Sequence, residues 1–171
     1  IYQDISLEFT REDPDFFSDK FWPKPAPNGG LVLVMSMGLA MLYLPFFLMG
    51  HFVALISGAE ATGYSPPYAF FILLSGLVYL IAGLFLLRKL LLRYFSDITV
   101  ALVLVSLVLG TNLFWYASLE APMTHVYSFA LFSLFLVLTA SWYDTHNWKT
   151  TLLLGLLSGL IVLIRPANIV L

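Results

Sequence analysis

From Tyr68 to Leu87 the chain carries no Asp, Glu, Lys or Arg, and the same holds from Ile98 to Tyr116 and from His125 to Trp142. A further apolar run begins near Thr150 and continues to Leu171, with Arg165 as its one charge. A bilayer core is about 30 Å thick and takes about 20 apolar residues of helix to cross, whereas a barrel strand crosses in about 10. In lipid, each backbone N–H and C=O must find its partner inside the protein, which a helix achieves within a single segment. The expected fold is therefore an all-α membrane protein, a polytopic helix bundle with about four transmembrane helices at 68–87, 98–116, 125–142 and 151–171.

Composition agrees. Hydrophobic residues make up 60% of the chain and charged ones 11%, where a soluble domain carries about 25% charged residues. The mean hydropathy is +0.91. A net charge of −2 with dispersed basic residues excludes a nucleic-acid footprint. The absence of cysteine excludes disulfides, thiolate metal sites and cysteine nucleophiles. The sequence opens on Ile1 without a signal-peptide plan and closes at Leu171 inside an apolar run. It reads as a piece of a longer protein, truncated at both ends.

The loops orient the spans. Arg88, Lys89 and Arg93 assign 88–97 to the cytoplasm by the positive-inside rule, and Lys149 assigns 144–150 to the same side. The loops 57–67 and 118–124 hold no Lys or Arg and face outward. Residues 1–30 contain six of the ten acids and end in a cluster of Pro23, Pro25, Pro27, Gly29 and Gly30, a loop signal. The next run, 31–56, is apolar but interrupted by Gly38, Pro45, Gly50 and His51. It reads as a broken juxtamembrane or re-entrant helix that does not cross, which leaves 1–30 as an outer-face loop.

Three residues could carry chemistry. Glu120 and His125 bracket Pro122 in the second outward loop. A carboxylate there can accept from a sugar hydroxyl, and a protonated imidazole can hold phosphate. The plainer reading leaves both in the headgroup zone, where polar groups cost little. Arg165 lies well inside the last run, roughly 22 Å from its inner end at 1.5 Å per residue. An arginine at that depth either snorkels outward or holds an anionic head group. Trp115, Tyr116, Trp142 and Tyr143 read as interface anchors, and Gly155 with Gly159 as a close-packing pair.

Four stretches in order carry a family resemblance: SMGLAMLYLPFFLMGH (36–51), LRKLLLRYFSD (87–97), GTNLFWYASLEAPMTHVYSFALF (110–132) and LLLGLLSGLIVLIRPANIVL (152–171). Together the sequence resembles the GT-C superfamily of polyprenyl-phosphate-sugar-dependent glycosyltransferases, in particular the protein mannosyltransferase and aminoarabinose transferase class (families 39 and 83). The resemblance implies sugar transfer from a polyprenyl-phosphate sugar to a lipid or glycan acceptor, at a site facing outside a bacterial inner membrane among membrane lipids. It leaves open a divalent metal. It implies Glu120 as the acid of the second outer loop, His125 as the polar residue after Pro-Met, and Arg165 as the later Arg-Pro arginine beside the donor phosphate. The family's principal catalytic acid is expected before Ile1. Some relatives have a basic residue near the start of the juxtamembrane helix, where this chain has Val34, Met35 and Ser36. The alternatives are a fragment of a secondary transporter or lipid flippase, whose ionisable residues would sit near the midplane, and a structural membrane subunit without a site.

Overall fold

A computed structural model of the protein describes residues 23–25, 27, 31–33 and 37–170, within two units, Ile1–Ser36 and Met37–Leu171. In the first unit β1 (Pro23–Pro25) pairs antiparallel with β2 (Leu31–Leu33), Lys24 opposite Val32. The loop expected over 1–30 is thus in part a strand, one whose prolines confine it to a sheet edge. The acidic stretch 1–22 and residues 34–36 lie outside the described residues.

The described elements of the second unit are all helices joined by short loops. Its elements are α1 (Met37–Ser57), α2 (Pro66–Leu91), α3 (Asp97–Gly110), α4 (Leu113–Ser118), α5 (Thr124–Thr145) and α6 (Trp148–Ile164), closed by a 3-10 turn at Pro166–Val170. Three of these, α1, α2 and α5, are long and apolar enough to cross a membrane. Phe52, Phe85, Leu109 and Leu156 are each more than 60% exposed, a surface that water does not tolerate in contiguous patches. The described helices fit an integral membrane protein.

The spans read at 68–87 and 125–142 fall within α2 and α5, but the other readings change. Of the run 31–56, Leu31–Leu33 form β2 and a helix begins only at Met37; that helix, α1, continues through Pro45, which forfeits one N–H bond to the preceding turn without ending it. The run 98–116 is two helices. Thr111 is extended (φ −123°, ψ 172°) and its Oγ1 donates to the Leu107 carbonyl while accepting from the Leu113 N–H, so the chain turns there. The last run ends early, at Ile164. Pro166 disfavours helical geometry in the residue before it, and Arg165 is extended at φ −149°, ψ 109°.

Glycines set the packing. A Cβ at Gly76 would come within 2.7 Å of the Ala121 Cβ, and one at Gly83 within 3.0 Å of the Ala130 Cα, so α2 and α5 run parallel in close contact. Gly50 receives Tyr68 and Gly38 receives the backbone of Ile164, which lays α1 antiparallel to α2 and seats its first turn on the end of α6. One core cluster joins Leu80, Leu113, Ala117 and Val126, and a second joins Leu131 to Leu157, Ile161 and Ile164.

The charged end is tied by side chains. Arg88 meets Asp97 at 3.0 Å and Arg93 meets Asp144 at 3.2 Å. Both pairs are exposed, so each contributes at most about 1 kcal/mol. Ser96 caps α3 by accepting from the Thr99 N–H, and Asn147 caps α6 by accepting from the Lys149 N–H. His146 turns the chain between α5 and α6 in the left-handed region, φ 43°.

Candidate functional site

Glu120 sits in the turn that joins α4 to α5. Its N–H donates to the Trp115 carbonyl at 3.3 Å and its carbonyl accepts from the Met123 N–H at 2.8 Å, so the backbone is fixed by its own neighbours. The side chain is half-buried. Its carboxylate has no hydrogen-bond or ion-pair partner among the described residues. His125, on the first turn of α5, stacks on Tyr116 from α4 with ring centroids 4.0 Å apart and planes 21° apart. Stacking fixes the ring plane and leaves both imidazole nitrogens free of partners among the described residues.

This corner does not sit level with the start of α2. Ala121 packs on Gly76, about 15 Å along α2 from Pro66 at 1.5 Å per residue. Beside it three helices bring hydroxyls together. Tyr43 from α1 donates to the Pro122 carbonyl, inside the Glu120 turn. Tyr127 from α5 shares a 2.6 Å hydrogen bond with Ser75 of α2, and Ser75 also donates to the Ile72 carbonyl at 2.7 Å. Tyr79 reaches the Leu42 carbonyl at 3.4 Å. The rings of Tyr43 and Tyr79 stand 5.2 and 4.9 Å from that of Tyr127. Ser75 and Tyr127 are both fully buried, where a polar group needs a partner. Higher on α2, His51 Nδ1 and the Tyr68 hydroxyl meet at 2.6 Å.

The hydroxyl cluster carries no pattern along the sequence. Each member stands alone in an apolar run, and its partner lies on another helix. The usable signal was Gly76 beside Ser75, since small residues mark where membrane helices approach closely.

Arg165 is elsewhere. It caps α6, its backbone N–H donating to the Ile161 carbonyl at 3.3 Å. Its side chain is exposed and has no acidic partner among the described residues. No described contact joins it to Glu120 or His125. The structure therefore brings two of the three expected site residues to one corner and sets the third on another helix end. Among the described residues no three His, Asp or Glu side chains cluster as a metal site would require.

Comparison with protein-family models, with characterised proteins and with solved structures returns no match.

Proposed function

We propose that this chain belongs to a membrane glycosyltransferase that moves a sugar from a polyprenyl-phosphate donor to a lipid or glycan acceptor on the non-cytoplasmic face. The observation that carries the reading is the Glu120 corner: a carboxylate in the turn before α5 and, on the first turn of α5, a stacked imidazole, both without hydrogen-bond or ion-pair partners among the described residues. An ionisable residue near apolar helices is costly unless it faces a protein interior or a wet cavity. In this scheme Glu120 accepts hydrogen bonds from a sugar or acceptor hydroxyl and fixes its approach. His125, when protonated, donates to a phosphate oxygen as charge develops on the leaving group. The order of the four family-like stretches gives the reading its substrate class, and Arg165 is given no step.

The test is transfer of radiolabelled sugar by the full-length protein in proteoliposomes supplied with polyprenyl-phosphate sugars. Glu120→Gln keeps the shape of the side chain and removes the charge. Loss of a positioning contact is expected to lower kcat/KM about 100-fold. Transfer unchanged in Glu120→Gln removes the corner from the reaction, and absence of transfer from any donor removes the reading.

A further inference from the structure

The turn that carries Glu120 is held from three sides. On the α4 side the Trp115 carbonyl accepts from the Leu119 N–H at 2.9 Å and from the Glu120 N–H at 3.3 Å. On the α2 side Ala121 is fully buried against Gly76. The third hold comes from α1, where the Tyr43 hydroxyl donates to the Pro122 carbonyl. That carbonyl stands one residue before Met123, the N-cap of α5. A helix ladder begins with the N-cap carbonyl, so α5 gives the Pro122 carbonyl no partner. Among the described residues, the Tyr43 bond is the one hydrogen bond that reaches 119–123 from outside α4 and the turn itself.

Tyr43 is itself firmly placed. Gly38 and Gly50, where α1 receives Ile164 and Tyr68, lie on either side of it along the helix. Next to it the Leu42 carbonyl accepts from the Tyr79 hydroxyl at 3.4 Å. Its ring meets the Tyr127 ring edge-on, with centroids 5.2 Å apart. The neighbouring phenol cannot take over its task. Ser75 gives its single hydroxyl proton to the Ile72 carbonyl, so Tyr127 is the donor in the 2.6 Å bond to Ser75. The Tyr127 proton is thereby committed to the α2–α5 pair, and the Tyr43 proton to the turn.

We propose that Tyr43 is a positioning residue for Glu120: from α1 its hydroxyl fixes the Pro122 carbonyl, and with it the turn that bears the carboxylate. The effect on turnover rests on the glycosyltransferase reading; the tie does not. A group that orients a substrate hydroxyl must be held to within about 0.5 Å. The Glu120 side chain has no partner of its own among the described residues, so its backbone supplies that order.

The test uses the full-length protein in proteoliposomes with two readouts. One is sugar transfer from polyprenyl-phosphate sugars, measured without a label. The other is the spectrum of a nitroxide on Leu119→Cys, in the turn beside Glu120. Leu119 is 62% exposed, so the label displaces no core contact. Tyr43→Phe keeps the ring and removes the bond. It is expected to mobilise the nitroxide and to lower kcat about 10- to 100-fold with the donor KM unchanged. Tyr127→Phe, which loosens α2 against α5, and Tyr79→Phe, which frees the Leu42 carbonyl, are expected to leave both readouts as in the wild type. An unchanged spectrum in Tyr43→Phe overturns the proposal, and so does a mobile turn with full turnover. Equal loss of kcat in Tyr43→Phe and Tyr127→Phe also overturns it, since general loosening would then suffice. If the wild type transfers no sugar, the reaction is withdrawn and the spectrum alone upholds or overturns the tie.

Discussion

Single residues in this protein separate into those that hold the helices and those left free. Ser75 and Tyr127 belong to the first kind: each is fully buried, and their 2.6 Å hydrogen bond crosses from α2 to α5. Interhelical hydrogen bonds of membrane proteins contribute about 0.6 kcal/mol on average and up to about 1.7. Tyr127→Phe and Ser75→Ala are each expected to cost on the order of 1 kcal/mol in mixed-micelle unfolding. The double variant should cost less than the sum of the two, because one bond is lost in all three. Strict additivity would mean that the hydroxyls do not interact. Glu120, His125 and Arg165 are of the second kind: among the described residues their side chains have no hydrogen-bond or ion-pair partner. Their chemical types were legible in the sequence because charge stands out against apolar runs, whereas Ser75, Tyr43, Tyr79 and Tyr127 blend into theirs. Which free residues share a corner was not legible, since it depends on where each helix stops.

At the scale of elements, glycine decides how closely helices meet. Gly38 faces backbone: a Cβ there would lie 2.6 Å from the Ile164 nitrogen and 2.7 Å from the Leu163 carbonyl carbon, neither of which can rotate away. Gly155, on α6, faces open space. Gly→Ala in a helix interior gains about 1 kcal/mol of intrinsic propensity, so Gly155→Ala should be neutral or stabilising. Gly38→Ala should instead destabilise by about 1–3 kcal/mol, as overpacking does, with loss of the contact between α1 and the end of α6. Equal effects at the two sites in thermal unfolding would contradict this packing. Element ends were legible where charge or capping marks them, as at Arg88 and Lys89 for α2 and Asn147 for α6. They were misread where hydropathy alone spoke. Gly110, Thr111 and Asn112 sit in a continuous apolar average, yet the Thr111 hydroxyl competes for backbone groups and splits the run into α3 and α4. The reverse happened in α1, where Gly38, Pro45 and Gly50 suggested a break. Gly38 and Gly50 are contact points for α6 and α2, and the helix passes through Pro45.

For the whole molecule, the charged loops and the Glu120 corner lie toward opposite ends of α5: Asp144 in its last turn pairs with Arg93, and His125 in its first turn stacks on Tyr116. The proposed function requires the corner to open to the face away from Arg88, Lys89 and Lys149. This sidedness is the account's central claim, because a polyprenyl-phosphate donor used on the non-cytoplasmic face requires it. The sequence contains no cysteine, so single cysteines can be introduced at Asp13, Ser57, Lys89 and Glu120 against a clean background within this stretch. An impermeant thiol reagent is then added to intact cells carrying the full-length protein. Labelling at Ser57 and Glu120 with protection at Lys89 is the predicted result, and the reactivity of Asp13 then reports whether α1 crosses. Labelling of Lys89, or protection of Glu120 while Ser57 reacts, would place the corner on the wrong side and contradict the glycosyltransferase reading.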